Sequence, residues 1–409
     1  MKAYIIAIGK ELLLGNVADI NTSFIANLLS QESFEVAETA IIDDNPDAVE
    51  AKVRQALGQA DIVLLTGGLG PTKDDLTRDA LMRVFGGELR RDEVTAENVA
   101  RIMAERSRPM NALTAAQAIV PSSARIIQNP VGTAPILWFE TQQFAGKVAV
   151  AMPGVPFELR EVFANHVLPQ LKTRFRTEPV FHAFLQTHNI SESAVAEALA
   201  SLEEESAAHL AYLPQTGYLN LRFDACSAEA AEAARDAAAA ILEPYVVAKT
   251  SLHPAETLIG ALRQRGLTVA TAESCTGGNI SHRITTIAGC SDVMTGGVVA
   301  YSNAVKMQVL GVPEEDLRLH GAVSEPVARA MAEGVRRATG ADVGIATTGI
   351  AGPGGGSPQK PVGTVWMAVA TPKGCTACVR KFPGNRLRVI EQATAAALLL
   401  AYTETIRNA

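Results

Sequence analysis

The stretch that decides the fold of the first part of the chain is residues 62–85, IVLLTGGLGPTKDDLTRDALMRVF. The apolar run Ile62–Thr66 predicts a buried strand, and residues 76–85 predict a helix. The loop between them carries Gly67, Gly68 and Gly70, and glycines let a backbone approach a ligand closely. Since α/β sheets bind ligands at the carboxyl ends of their strands, this loop is a candidate ligand site.

The same alternation of strand and helix extends outward from this stretch. Upstream, buried strands are predicted at residues 3–8 and 35–42, and helices begin near Asn21 and at Pro46. Downstream, strands are predicted at residues 125–128, 135–139 and 148–152, followed by a helix over 156–175. This β-α-β-α-β-α order predicts a doubly wound sheet, mostly parallel, with helices on both faces.

Polar residues after several strands add to the candidate site. Asp74 and Asp75 offer the hard oxygen ligands that divalent cations prefer. The following helix N-terminus offers free N–H groups for a phosphate. The alternative is a tight loop with a carboxylate that caps the helix. Further polar residues that follow strands are Glu11, Asp19, Asn21 and the segments 129–134 and 152–156.

The rest of the chain predicts two more domains. Residues 176–250 form a small α+β unit, with strands at 180–186 and 218–223 and helices at 191–202 and 228–242. Residues 251–409 predict a second α/β domain, with strands at 268–272, 294–301, 342–347 and 364–370. We therefore expect two α/β domains, 1–175 and 251–409, joined by a small α+β domain.

Composition limits the class of protein. The 409 residues are 48% hydrophobic, enough for packed cores, and carry a formal net charge of −7. This charge argues against a broad face for nucleic acid. Neither a secretory signal nor an apolar stretch of spanning length is visible, so we expect a cytoplasmic protein without membrane association. The odd number of cysteines predicts no disulfide framework, and Cys375 and Cys378 form a lone C-x-x-C that lacks partners for a zinc site.

Local geometry in the third domain points to Ser274. It stands at a sharp strand-to-helix turn in Thr271–Gly278, TAESCTGG, where such turns expose a nucleophile. A lysine can serve as the general base for a serine when burial makes it easier to deprotonate. The glycine-rich loop 349–356 is either a backbone cradle around a ligand or a mobile connection.

The first domain resembles the MoaB-like, molybdopterin-binding fold as it occurs in CinA proteins. The resemblance rests on the segments 9–13, 66–77, 129–134 and 152–158. It implies metal-dependent hydrolysis of ADP-ribose, with Asp74 and Asp75 at the metal or phosphate site and support from Glu11, Asp19 and Glu158. The metal is a divalent cation. The same fold also binds molybdopterin, so the fold alone does not choose between them.

The middle domain resembles the KH-like linker of long CinA proteins, at Asn189–Ser193, NISES. It lacks the Gly-x-x-Gly clamp of RNA-binding KH modules. The resemblance implies a spacer and dimerisation element, and hence a homodimer.

The third domain resembles the PncC-type amidohydrolase of CinA proteins, on TAESCTGG, Tyr301–Lys306 and Thr348–Gly356. This resemblance implies conversion of nicotinamide mononucleotide to nicotinate mononucleotide and ammonia without a cofactor. It implies Ser291 as nucleophile, Lys306 as general base and Tyr301 as proton relay. The implied substrate-binding residues are Ser274, Thr276, Gly277, Thr348, Gly349, Gly352 and Arg386. Ser274 stays the rival nucleophile, since spacing alone does not bring Ser291 to Lys306. The alternative function is a binding protein associated with competence.

Overall fold

A computed structural model describes residues 1–72, 75–140, 142–144 and 146–407. The chain divides into two compact units, Met1–Val180 and Phe181–Ala409. The first boundary lies five residues beyond the predicted one, and the middle region belongs to the same compact unit as the third. The division into three domains stays a prediction.

The first unit alternates strands and helices along most of its length. Its strands are β1 (Lys2–Ile8), β2 (Glu35–Ile42), β3 (Ile62–Thr66), β4 (Leu89–Arg91), β5 (Ile119–Pro121), β6 (Arg125–Ile127), β7 (Ile136–Phe139) and β8 (Val148–Met152). Its helices are α1 (Lys10–Leu13), α2 (Ile20–Gln31), α3 (Pro46–Gln59), α4 (Thr77–Phe85), α5 (Glu93–Glu105), α6 (Ala112–Ala115), α7 (Pro156–Val162) and α8 (Leu168–Arg174). Short 3₁₀ turns occupy Ala116–Ala118 and Gln142–Phe144, and a π-helical turn, Phe163–Val167, joins α7 to α8.

The main sheet of this unit has the order β2-β1-β3-β8-β7-β6. Strands β2, β1, β3 and β8 are parallel, and β7 and β6 are antiparallel. Alternate residues of β1 enter two separate cores, Tyr4 and Ile6 on one face and Ala3 and Ile5 on the other. Helices α3 and α4 cover the first face and α2 and α7 the second, which confirms the doubly wound prediction.

The second unit begins with a four-stranded sheet of order β10-β11-β9-β12, built from β9 (Phe181–Thr187), β10 (His209–Gln215), β11 (Tyr218–Ala225) and β12 (Val246–Ala248). Helices α9 (Glu192–Glu205) and α10 (Ala228–Ile241) pack on one face through alanine, leucine and valine side chains. A 3₁₀ turn at Glu243–Tyr245 precedes β12. Asn189 has φ of 66°, the left-handed conformation expected at that turn.

The remainder of this unit is a five-stranded sheet of order β14-β13-β15-β16-β17, formed by β13 (Val269–Glu273), β14 (Met294–Val299), β15 (Val343–Gly349), β16 (Thr364–Thr371) and β17 (Gly374–Lys381). Its helices are α11 (Pro254–Arg265), α12 (Asn279–Thr285), α13 (Asn303–Gln308), α14 (Glu314–His320), α15 (Glu325–Thr339) and α16 (Arg386–Arg407), and a 3₁₀ turn occupies Cys290–Asp292. One core lies between the sheet and α11, α12 and α16, and the other lies under α15.

Strands β14, β13 and β15 run parallel, so their carboxyl ends meet at one edge of the sheet. Cys375 and Cys378 lie on β17, where residues three apart point to opposite faces, so this pair forms no chelating site. Within the described residues, no helix is both long and apolar enough to cross a bilayer.

Candidate functional sites

A cavity of about 400 Å³ lies at the carboxyl ends of β1, β3 and β8 in the first unit. It is at the sheet edge that the sequence predicts. The predicted residues that line it are Glu11, Asp19, Asn21, Gly67, Gly68, Gly70, Asp75 and Glu158. Asp74, the remaining predicted residue, lies outside the described part of the chain.

The glycines of the loop after β3 are required by close backbone packing. Gly67 has φ of 107°, and a Cβ there would stand 2.2 Å from the carbonyl oxygen of Ile8. A Cβ at Gly68, whose φ is 66°, would stand 2.0 Å from Thr77 Oγ1. Thr77 in turn donates to the Gly67 carbonyl over 3.2 Å. The loop therefore sits directly on the first turn of α4, at the rim of the cavity.

The Asp75 carboxylate holds this loop rather than facing the cavity as a free ligand. Oδ1 accepts from Gly70 N at 2.8 Å, and Oδ2 accepts from the backbone N and the hydroxyl of Thr72 at 2.8 and 2.5 Å. Both oxygens are thus committed to ordering the loop. The role of Asp75 as a metal ligand stays a prediction, because a carboxylate has about four acceptor sites and these bonds use three of them.

Two other acidic residues of the cavity, Asp19 and Glu158, also hold structure, whereas Glu11 is exposed. Asp19 accepts from Thr22 N at 3.0 Å and caps α2. Glu158 is buried and accepts from Asn129 at 3.0 Å. Among the described residues, no three histidine, cysteine, aspartate or glutamate side chains converge as metal ligands do. The divalent cation stays a prediction, since its candidate ligand Asp74 lies outside the described part of the chain and Glu11 also lines the cavity.

A second cavity, of about 230 Å³, lies at the carboxyl edge of the sheet in the second unit. Ser274 follows β13 and Lys306 lies on α13, which follows the neighbouring strand β14. Lys306 Nζ donates to Ser274 Oγ over 3.0 Å. Because the two parallel strands end at the same edge, their next residues can meet there.

Lys306 is an amine buried without a carboxylate. Its side chain is 1% exposed, and Nζ contacts the carbonyl oxygens of Ala300 at 2.6 Å and Tyr301 at 3.4 Å. Burial lowers the pKa of Lys306. The neighbouring Cys275 thiol is also buried, which raises its pKa to about 12. At neutral pH that thiol supplies no negative charge to hold a proton on Lys306.

Ser291 lies at the opposite end of the sheet from Lys306. It is exposed in the 3₁₀ turn that precedes β14, whereas Lys306 comes after that strand ends. The register shift between β13 and β14 leaves Thr295 as an extra residue, yet β14 continues straight on to Val299. A whole strand separates Ser291 from Lys306 in this chain, and Ser274 lies beside Lys306 instead, so the predicted role of Ser291 stays a prediction.

The turn that carries Ser274 is organised by Glu273. This fully buried carboxylate accepts from the backbone N of Gly278, Ile280 and Ser281 over 2.8 to 3.0 Å. Thr276 donates to Glu273 at 2.7 Å and bonds Thr347, and Gly277 has φ of 63°. Neither Thr276 nor Gly277 lines the cavity in the described structure. The bonds seen here order the turn, and the role of both residues in substrate binding stays a prediction.

Arg386 closes the other side of this cavity. Its guanidinium donates to the Gly352 carbonyl and to the Tyr301 hydroxyl, both over 2.9 Å. The Tyr301 side chain is 62% exposed, and its hydroxyl contacts Arg386 instead of bridging Ser274 and Lys306. The predicted relay is thus not the arrangement seen. Thr348 and Gly349 line the cavity as predicted, whereas Gly352 supports Arg386 through its carbonyl.

Two family models match this chain, one in each of its two compact units. Residues 252–404 match the CinA C-terminal domain, and residues 4–173 match the probable molybdopterin binding domain. A CinA-like protein from Gemmatimonas aurantiaca is 40% identical over 408 residues, 97% of this chain and 95% of that protein. The chain belongs to the CinA family. A CinA-like protein from Salinibacter ruber is 41% identical over 377 residues, 90% of this chain and 91% of that protein.

A solved CinA superfamily protein from Klebsiella pneumoniae is 35% identical, with a TM-score of 0.37 over 38% of this chain and 96% of that one.

Several cavity residues of this CinA chain were not predicted from sequence as site residues. Beside Ser274 and Lys306, the cavity of the second unit is lined by Cys275, Asn303, Ala322, Val323 and Ala351. Asn303 had a usable signal, because it lies three residues before Lys306 on α13 and therefore on the same helix face. The other residues reach the cavity only because the folded sheet brings their segments together, which the sequence does not show.

Proposed function

We propose that the second unit hydrolyses the carboxamide of nicotinamide mononucleotide to nicotinate mononucleotide and ammonia. Ser274 is the nucleophile and Lys306 its general base. The observation that carries this proposal is the 3.0 Å contact between Ser274 Oγ and a lysine that is 1% exposed. Unreactive amides require an activated nucleophile, and a buried neutral amine provides the base for it.

The three contacts of Lys306 match the bonding capacity of a neutral amine. Such an amine has two N–H donors and one lone pair. The carbonyl oxygens of Ala300 and Tyr301 take the two donors. The lone pair then faces Ser274 Oγ and can accept the hydroxyl proton as the oxygen attacks. The same three contacts also suit the three N–H donors of an ammonium, so it is burial, which lowers the pKa of Lys306, that favours the neutral base.

The reaction proceeds through an ester of Ser274. Its oxygen bonds the amide carbon while its proton passes to Lys306. The tetrahedral adduct collapses when Lys306 returns that proton to the leaving nitrogen, and ammonia departs. Water then attacks the ester, Lys306 takes a proton from the water, and nicotinate mononucleotide leaves as Ser274 regains its hydroxyl proton.

Backbone donors after Ser274 are available for the developing oxyanion. Neither the N–H of Cys275 nor that of Thr276 donates to a backbone carbonyl in the described structure. The residue after the nucleophile supplies this donor in nucleophile elbows of similar strand-to-helix shape. Arg386 stands across the cavity, and its remaining N–H groups suit the nucleotide phosphate.

For the first unit we propose binding and hydrolysis of ADP-ribose in the 400 Å³ cavity. The glycine loop on the first turn of α4 supports a phosphate there. A divalent cation remains part of this proposal, with Asp74, Asp75 and Glu11 as its candidate ligands. The second candidate is molybdopterin binding, which the match to the probable molybdopterin binding domain favours.

Two assays on the full chain test these functions. Ammonia release from nicotinamide mononucleotide should be enzymatic and insensitive to chelator, and absence of release overturns the deamidase proposal. Formation of AMP and ribose 5-phosphate from ADP-ribose tests the first unit. If the cation is needed, chelator stops that cleavage while ammonia release continues, and molybdopterin binding without any cleavage favours the second candidate.

A further inference from the structure

The cavity of the first unit contains a buried amide that the fold does not use. Gln117 lines this cavity and is 1% exposed. Among the described residues, neither its Oε1 nor its Nε2 has a hydrogen-bond partner. Buried amides are nearly always paired, because an unpaired donor or acceptor loses its hydrogen bonds to water without replacement. An amide with both ends unpaired is therefore expected to form hydrogen bonds with a ligand in the cavity.

The backbone around Gln117 is fixed rather than loose. Arg78, on the helix that follows the glycine loop, donates to the carbonyl oxygens of Ala116 at 3.1 Å and Ile119 at 2.8 Å. These carbonyls flank Gln117 on both sides. Burial lowers the pKa of Arg78, so this guanidinium is itself largely removed from water. The backbone that carries the unpaired amide is thus tied to the helix that follows the glycine loop.

A second unpaired acceptor lines the same cavity. Asn21 Nδ2 donates to Thr66 Oγ1 at 3.2 Å and to the Gly154 carbonyl at 2.8 Å, which fixes the orientation of its amide. Its Oδ1 is buried and, within the described residues, has no partner. The walls between these amides include Ile8, Val17 and Leu69, apolar side chains suited to a flat ring.

We propose that Gln117 determines ligand specificity by pairing with the edge of a flat nitrogen heterocycle. A carboxamide presents a donor and an acceptor side by side, which matches a ring edge that carries an adjacent acceptor and donor. Aminopurines and pterins both have such an edge. This inference rests on the ligand-binding function proposed for the first unit, and it assigns the ring end of the ligand to Gln117.

The test compares the wild-type chain with Gln117→Leu, in which the side chain has similar size and no polar atom. Binding is measured by thermal shift and calorimetry with three probes: ADP-ribose, a soluble pterin, and ribose 5-phosphate, which has no ring. We expect about tenfold or greater loss of affinity for whichever ringed ligand the wild type binds. Affinity for ribose 5-phosphate should be unchanged. Whether ADP-ribose or the pterin binds shows whether the ring that pairs with Gln117 is an aminopurine or a pterin.

The stability of the unliganded protein separates a ligand-binding role from a structural one. Removal of an unpaired buried amide should leave the melting temperature of Gln117→Leu unchanged or raised. The matched control is Gln186→Leu in the second unit, because Gln186 is fully buried and donates to Asn220 and Leu252. That variant should melt earlier and bind the ringed ligand normally.

Two results would overturn the inference alone: unchanged affinity of Gln117→Leu for the ringed ligand, or a lowered melting temperature that shows the amide holds the fold. The variant Gln117→Glu, which keeps the acceptor and loses the donor, should also lose affinity. If the wild type binds neither ADP-ribose nor the pterin, the function proposed for the first unit fails, and this inference fails with it.

Discussion

The contrast between Ser274→Ala and Ser291→Ala gives the sharpest test of the second site. Ser274 Oγ lies 3.0 Å from Lys306 Nζ. Ser291 lies before the six residues of β14, which span about 20 Å at 3.3 Å per residue, and Lys306 lies after them. A hydroxyl at that distance cannot pass its proton to Lys306.

We therefore expect Ser274→Ala to lower the rate of ammonia release from nicotinamide mononucleotide by a factor on the order of 10⁴ or more. Ser291→Ala should stay within about twofold of the wild type, as exposed residues without a bond in the site do. Lys306→Met should match Ser274→Ala, and the double variant should be scarcely worse than either single one, because a nucleophile and its base act as one unit.

The assay is coupled ammonia detection under saturating substrate, with circular dichroism of each variant to check that it folds. Both variants replace a serine by alanine, so Ser291→Ala serves as the matched control for Ser274→Ala. Near-normal turnover in Ser274→Ala together with an inactive Ser291→Ala would refute the reasoning. It would mean that the chemistry takes place away from the carboxyl edge of the sheet.

Three further predictions concern the same site. The kcat/KM for ammonia release should rise with pH through an apparent pKa below the ordinary lysine value of 10.5. The reason is that burial lowers the pKa of Lys306 and only the neutral amine is a base. A flat profile from about pH 6 to 10 would contradict this. Tyr301→Phe should raise KM several-fold with kcat retained, because the lost hydroxyl positions Arg386; a collapse of kcat would restore the relay role. Glu273→Ala should destabilise the second unit by roughly 3 kcal/mol in urea unfolding, since three backbone N–H groups lose their acceptor, and a change under 1 kcal/mol would refute that role.

Much of the fold was predictable because its signals are local. Apolar runs of strand length and helix-capping residues such as Asn45 mark the α/β alternation along the chain. Several elements were not predicted from the sequence, among them α5, β10, α12, α14 and β17. Strand β17 lies at the edge of its sheet and mixes polar with small residues, so its sequence has no strong apolar run. Its strand state depends on pairing with β16, which only the folded sheet provides.

The catalytic pair was half predictable for a related reason. The strand-to-helix turn identifies Ser274 from local sequence, and Lys306 follows another strand in the same way. What brings them together is the parallel pairing of β13 with β14, in which Glu273 stands opposite Val299. Sequence separation gives no information on that register. The resemblance that implies Ser291 likewise carries no information on which strand ends meet in the folded sheet.

Acidic residues in the two glycine-rich turns show why a carboxylate next to a cavity is difficult to assign to a ligand from sequence alone. Asp75 and Glu273 each lie next to a strand end and a ligand cavity, and each satisfies backbone N–H groups of its own turn. A tight glycine turn directs several N–H groups inward, and a carboxylate is the best acceptor for them. In both turns the carboxylate orders the loop that carries it. The groups left to act on a ligand are those that the fold leaves unpaired or uncharged, the Gln117 amide in the first unit and the Lys306 amine in the second.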